Sequence, residues 1–315
     1  MSFVRTVLGD ISPIELGKTL THEHIIASPP KKFADKDPDL VLDSLEKIIA
    51  EVVDFRNTGG KSIVDATAID YGRNIEAVVE VARATGVNLI ATAGFNKGLF
   101  FDQWVYDASQ NELTERVIRE VEEGIDGTKY KAGQVKFGTM YNSIWPVEEK
   151  VLKAVAEAQK QTKAPMFSHT EAGTMALEQI EMVERQGVNL EHWTVGHLDR
   201  NPDLWYHLQI AKKGVYLSFD QVSKIKYHTD QARIDVMIEL IKRGYQRKIL
   251  LSGDMARKSY LTQYGGGPGF TYIPTRFVPR LVDELGNHGF SDEKIDQIIE
   301  DLTVNNPREF LTFKK

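Results

Sequence analysis

Thr21-His22-Glu23-His24 places two imidazoles one residue apart at the end of a small and apolar run. Alternate residues of a strand point to one face, so His22 and His24 lie about 6–7 Å apart along it. At that spacing both can hold one metal ion. Two unrelated surface histidines would give the same pattern, so the pair decides nothing alone. Four more polar residues end apolar runs further along the chain. They are Lys136 in Gly133-Gln134-Val135-Lys136-Phe137, His169 in Pro165-Met166-Phe167-Ser168-His169, His197 in Thr194-Val195-Gly196-His197, and Asp254 in Ile249-Leu250-Leu251-Ser252-Gly253-Asp254. Four neutral imidazoles and one carboxylate form a donor set suited to Zn or a similar divalent ion.

Lys136 needs a separate reason, because an ammonium group beside bound cations is repelled. A lone lysine at a strand end usually faces solvent. A neutral lysine amine, however, takes up carbon dioxide to form a carbamate, whose two oxygens carry negative charge and can bridge two cations. With that bridge His22, His24 and Asp254 serve one ion, and His169 and His197 the other. Without it four histidines crowd a single ion.

Such a set needs a scaffold that brings distant strand ends together. Residues 1–17 read as a short β-ribbon turning at Gly9-Asp10. Eight short apolar runs follow: Leu16–His24, Ser62–Thr67, Asn88–Gly94, Gly133–Phe137, Pro165–His169, Trp193–His197, Gly214–Asp220 and Lys248–Asp254. Between them lie amphipathic helical stretches at Asp43–Thr58, Ile75–Thr85, Thr114–Gly124, Val147–Thr162, Thr174–Gln186, Asp203–Lys212 and Ala232–Arg243. Several end on a glycine just before the next run, as at Gly59, Gly86, Gly187 and Gly214. Eight strand–helix units predict a (β/α)8 TIM barrel, a single domain over residues 1–315. A doubly wound sheet is the competitor, but no Gly-rich fingerprint follows the first run. In a barrel, catalytic side chains sit at the C-terminal ends of the strands. Four of the eight histidines fall there, which chance explains poorly.

Two stretches break the regularity. Phe95–Leu113 carries Phe100, Phe101, Trp104 and Tyr106. Met255–Arg280 carries Gly265-Gly266-Gly267-Pro268-Gly269 and several aromatic residues. Long loops at this barrel face build pockets, and so dense a glycine run is compatible with a mobile lid. Ser291–Lys315 reads as a capping helix with Ile295, Ile298, Ile299 and Leu302 inward.

Composition narrows the function classes. The 315 residues carry a net charge of −6 and a pI near 5.8, which argues against a sequence-independent nucleic-acid binder. There is no cysteine, so no disulfide framework and no thiolate site. The N-terminus shows no signal-peptide pattern, and no run of about 18 apolar residues predicts a membrane span. A cytoplasmic protein with no nucleic-acid or membrane partner is the expectation. A homodimer is a candidate assembly that the sequence does not fix.

Taken jointly, these motifs resemble the phosphotriesterase-like branch of the amidohydrolase superfamily. The carriers are Thr21-His22-Glu23-His24, Lys131-Ala132-Gly133-Gln134-Val135-Lys136, Ser168-His169-Thr170, Val195-Gly196-His197 and Ser252-Gly253-Asp254. The resemblance spans the whole barrel. It implies a binuclear metal hydrolase with a carboxylated Lys136 as bridge, opening lactones and in some members cleaving organophosphate triesters. The mononuclear deaminase branch is less similar. Glu171, two residues past His169, reads as a loop residue. Asp254 is the expected proton carrier.

The acyl-homoserine lactonases of this family carry an arginine directly after a Phe-Asp pair. Here Phe219-Asp220 is followed by Gln221, which speaks against a long-chain acyl substrate. The seventh and eighth loops are instead basic, with Lys224, Lys226, His228, Arg257 and Lys258 interleaved with Tyr227 and Tyr260. Each charge alone is compatible with a solvated surface. Together they ring the expected pocket mouth of an acidic protein. A guanidinium fork with a lysine and a phenol (Arg257, Lys226, Tyr260) suits a phosphate monoester. The chain also resembles, through Gly253-Asp254-Met255-Ala256-Arg257-Lys258-Ser259-Tyr260 and Tyr264-Gly265-Gly266-Gly267-Pro268-Gly269, the subgroup that opens phosphorylated sugar lactones. Three functions stay open: a phosphorylated sugar-1,4-lactone hydrolase, a neutral or acyl-homoserine lactonase with promiscuous phosphotriesterase activity, and a non-enzymatic metal-binding scaffold.

Overall fold

A computed structural model of the chain describes residues 2–313. Two antiparallel strands, β1 (Val4–Thr6) and β2 (Gly9–Ile11), come first. Eight parallel strands follow: β3 (Thr19–Glu23), β4 (Ser62–Asp65), β5 (Asn88–Gly94), β6 (Gln134–Thr139), β7 (Met166–Thr170), β8 (Trp193–Val195), β9 (Tyr216–Phe219) and β10 (Ile249–Leu251). Each pairs with the next in chain order, and helices cover the outside, giving the expected (β/α)8 barrel. The ribbon turns two residues earlier than expected, at Val7-Leu8, since Thr6 pairs with Gly9.

The barrel closes where β3 meets β10. Thr21 Oγ1 donates to the Leu251 carbonyl (3.1 Å), the His22 amide to Ser252 Oγ (2.9 Å), and the Asp254 amide to the His22 carbonyl (3.0 Å). Glu23 staples this seam. Its buried carboxylate accepts from Ser252 Oγ (2.7 Å), the Gly253 amide (2.7 Å) and the Met255 amide (2.8 Å). Burial pushes the Glu23 carboxyl up to about 7, against the pull of those three donors.

Two faces of each strand do different work. Ile63, Leu89, Val135, Leu217 and Ile249 join the large apolar layer beneath the helices. Their neighbours Val64, Ile90, Tyr216 and Leu250 turn the other way and pack with Val4, Leu16, Phe310 and Leu311. This small cluster is an apolar floor, sealed by the N-terminal ribbon and the last helix. The polar side chains of the site gather above it, toward the C-terminal strand ends.

The helices start where side chains cap them. Ser44, Asn74, Ser109, Asp203 and Thr229 each accept from an amide in the first turn. The Ser109–Glu112 capping box begins one helix at Gln110, four residues before the period alone placed it. In the second long loop, helical backbone resumes at Ile273 and runs to Asn287, although Arg280 was the expected loop end. Pro274 sits in the first turn, where no amide donor is needed, and Pro279 follows the wider π turn over Ile273–Phe277, inside the continuous helical backbone. The glycine run is pinned. The Gly267 amide donates to the Ser259 carbonyl (2.7 Å) and the Gly269 amide to the Tyr260 carbonyl (2.9 Å). The C-terminal segment is two helices, Asp292–Glu300 and Asn306–Leu311, joined by a wider turn; Lys314 and Lys315 of the expected cap lie outside the described residues.

Candidate metal centre and active site

His22, His24, Lys136, His169, His197 and Asp254 line one cavity of about 220 Å³ above the apolar floor. The six expected residues, drawn from five strands, thus converge. His22 Nε2 and His24 Nε2 stand 3.6 Å and 3.3 Å from Asp254 Oδ1. On the other side His197 Nε2 and His169 Nδ1 are 2.9 Å apart. The first three side chains form a group whose donor atoms could hold a metal ion.

The outer nitrogen of every ring is already engaged. Asp220, fully buried after β9, accepts from His22 Nδ1 through one oxygen (2.8 Å) and from His197 Nδ1 through the other (2.9 Å). Thr67 Oγ1 donates to Asp65 (2.6 Å), so its oxygen is free to accept from His24 Nδ1 (2.8 Å). Glu171 Oε2 accepts from His169 Nε2 (3.3 Å). These partners fix the tautomers and turn four lone pairs inward: Nε2 of His22, His24 and His197, and Nδ1 of His169. Burial lowers the His22 imidazole to about 4, and burial with the Lys97 charge lowers His169 as well, so both rings stay neutral. Two lone pairs facing each other at 2.9 Å repel unless a positive charge lies between them. The donor set therefore fits a cation on each side.

Lys136 on β6 is buried, and its Nζ donates to the Ala66 carbonyl (2.8 Å). Burial brings its ammonium down to about 8, within reach of the neutral amine that a carbamate requires. Phe167 packs beside it, 5.3 Å from Nζ, and edge-on to His22 at 4.4 Å. Gly196 makes room for that ring, since a Cβ there would lie 2.2 Å from Phe167 Cζ.

Two of these six residues sit on left-handed backbone, His197 at φ 59° and Asp254 at φ 47°. Neither is glycine, and strain of this kind concentrates at functional sites. Asp254 is gripped from outside. Gln221 Nε2 (2.6 Å) and Lys224 Nζ (2.9 Å) both donate to Oδ2, leaving Oδ1 toward the histidines. Although burial works against it, the Lys224 charge holds the Asp254 carboxyl well below the usual range.

Of the expected phosphate binders, Arg257 lines the cavity; Lys226 and Tyr260 are not among its lining residues and meet each other, with Nζ 5.2 Å from the ring centroid. Arg257 is already paired, with Asp37 (2.7 Å) and Asp39 (3.3 Å). Sequence reasoning missed three residues. Asp220 follows β9, one of the three barrel strands from which no polar residue was collected. Gln221 was weighed only as a missing arginine, and Glu171 was set aside as a loop residue. Asp220 and Glu171 share a signal, a carboxylate at or just past a strand end beside a ligand strand.

A model described as the phosphotriesterase family matches residues 2–311. A lactonase of Listeria monocytogenes superimposes with a TM-score of 0.96 at 46% identity, covering 99% of this chain and 100% of that one. The phosphotriesterase homology protein of Escherichia coli is 35% identical over 295 residues, 93% of this chain and 97% of that protein. A phospho-furanose lactonase of Mycoplasmopsis agalactiae is 34% identical over 332 residues, 99% of this chain and 92% of that protein.

Proposed function

Because the chain belongs to the phosphotriesterase family of hydrolases, we propose that it opens the ring of a phosphorylated sugar-1,4-lactone at a binuclear metal centre. The observation that carries this reading is the inward convergence of four histidine lone pairs and Asp254 in one cavity, with Lys136 buried among them. His22, His24 and Asp254 would hold one divalent ion, His169 and His197 the other, and carboxylated Lys136 would bridge. Zn is the expected metal. Such ions would supply Lewis-acid polarisation of the lactone carbonyl and a lowered pKa for the attacking water.

The chain's own groups do the rest. Gln221 and Lys224 aim Asp254 Oδ1 inward, where it takes the proton of the attacking water and passes it to the departing ring alkoxide. The apolar floor closes the barrel below the site to water. Lys226, Arg257 and Tyr260 would receive the phosphate at the rim, away from the donors that hold the metals. The relatives named phospho-furanose lactonase support this substrate class. For an acyl-homoserine lactone the support is weaker, since Gln221 is already committed to Asp254.

The test is a lactonase assay on chelator-treated and Zn-reconstituted protein, with matched lactones bearing and lacking phosphate. Metal-restored opening that favours the phosphorylated lactone is expected. Full activity without metal would overturn the reading. Equal rates on both lactones would favour the neutral lactonase.

A further inference from the structure

One wall of the cavity, apart from the Glu171 contact that orients His169, has no task in that scheme. Asn96, two residues past β5, is 7% exposed, and its Oδ1 has no hydrogen-bond partner among the described residues. It nonetheless lines the cavity with the histidines. Buried polar atoms without partners are rare, and each calls for an explanation. Arg200, in the turn after β8, lines the same cavity, and its buried Nε is likewise without a partner among the described residues. Its Nη1 donates to Glu171 Oε1 (3.0 Å), and the guanidinium stacks on the Tyr227 ring at 4.1 Å. Lys97 Nζ donates to the other Glu171 oxygen. The loops after β5, β7 and β8 thus hold acceptors (Asn96, Glu171) and donors (Lys97, Arg200) in a braced array.

The charge of this array decides what it reads. Glu171 draws on both cations, so the wall is not a free cationic pole like the one expected on the loops after β9 and β10. A hydroxyl group donates one hydrogen bond and accepts others, so alternating acceptors and donors suit neighbouring hydroxyls better than a second anion. We propose that Asn96, Glu171 and Arg200 form a hydroxyl-reading wall that selects lactones by the ring hydroxyls they carry. This rests on the sugar-lactonase reading and adds to it the residues that read the ring hydroxyls.

The experiment compares a pentono-1,4-lactone 5-phosphate with its 2-deoxy and 3-deoxy analogues on the Zn-loaded enzyme, using wild type, Asn96→Ala and Asn96→Asp. A site built to bond a hydroxyl rejects the analogue lacking it strongly. Wild type should favour the parent lactone over at least one deoxy analogue by about a hundredfold or more. Asn96→Ala should lower kcat/KM on the parent about ten- to a hundredfold, mainly through KM, and leave the rejected analogue within about threefold. Asn96→Asp, which keeps an acceptor, should recover part of the loss. Zn content should match wild type throughout. Equal losses on parent and analogue, or none on either, would overturn the wall and leave the lactonase standing. So would a wild type that opens parent and deoxy lactones equally well. A wild type that opens no lactone would overturn the lactonase reading, and the wall with it.

Discussion

Lys224 Nζ lies 2.9 Å from Asp254 Oδ2, on the side of the carboxylate turned away from His22 and His24. A cation is thus stationed behind the group expected to carry the proton. Asp254 accepts a proton only when ionised, and its carboxyl is depressed in the fold. Activity is therefore present above that pKa and is lost as pH falls through it. Removing the Lys224 charge raises the Asp254 pKa, so in Lys224→Met the acid limb of kcat/KM should move to higher pH. Lys224→Arg should keep the wild-type limb. A pH profile of the Zn-loaded variants checks this, and an unmoved limb in Lys224→Met would remove Lys224 from the mechanism.

Asp220 orients one histidine of each donor pair. Loss of such an outer partner costs roughly 10- to 100-fold in metal affinity. Asp220→Asn keeps the shape but offers only one acceptor oxygen, so the affinity of one ion should fall more than that of the other. Titration of the apo protein with Zn, read by two-site fits, checks the asymmetry.

Lys136→Ala should lose metal and activity, and short carboxylates such as formate should partly restore both by supplying bridging oxygens. Lys136→Glu should retain more activity than Lys136→Ala. Two bound ions and full rate in Lys136→Ala with carbon dioxide excluded would refute the bridge.

Arg257→Ala should reduce kcat/KM on a phosphorylated lactone by about one to two decades, since a charge-assisted bond contributes roughly 1.5–3 kcal/mol. The unphosphorylated lactone should hardly respond. Equal losses on both would place Arg257 in the fold, where its pairing with Asp37 and Asp39 gives it a structural part as well.

The barrel and the six side chains that meet in its cavity were legible in the sequence because both depend on local pattern. A strand end is marked by where an apolar run stops, and β5 matches its expected bounds at Asn88–Gly94. Less was legible where a residue's role depends on a partner far along the chain. Nothing near Asp220 in sequence announces that it bonds His22 across 198 positions. Nothing near Arg257 announces that Asp37 has already engaged it.

Glu23→Ala should be costly. It leaves Ser252 Oγ and the Gly253 and Met255 amides as three buried donors without their acceptor, each costing about 1–3 kcal/mol. Glu23→Gln, which keeps an acceptor oxygen, should lose less. Urea unfolding midpoints for the two variants check the order, and an Ala variant as stable as wild type would show that the seam relaxes around the gap.

The seam also sets a timetable. Glu23 and its partners are separated by about 230 residues, and the same few bonds that close the barrel bring Asp254 to the histidines of β3. While the chain emerges from the ribosome, His22 and His24 are made early and wait for a carboxylate that arrives near the end. Until then no nascent fragment brings His22, His24 and Asp254 together, so the three donors meet only when the barrel closes. Circular permutation that opened the chain between β3 and β10 elsewhere on the ring, while joining the old termini, would make those two strands adjacent in synthesis and let the first site form before the last helix exists.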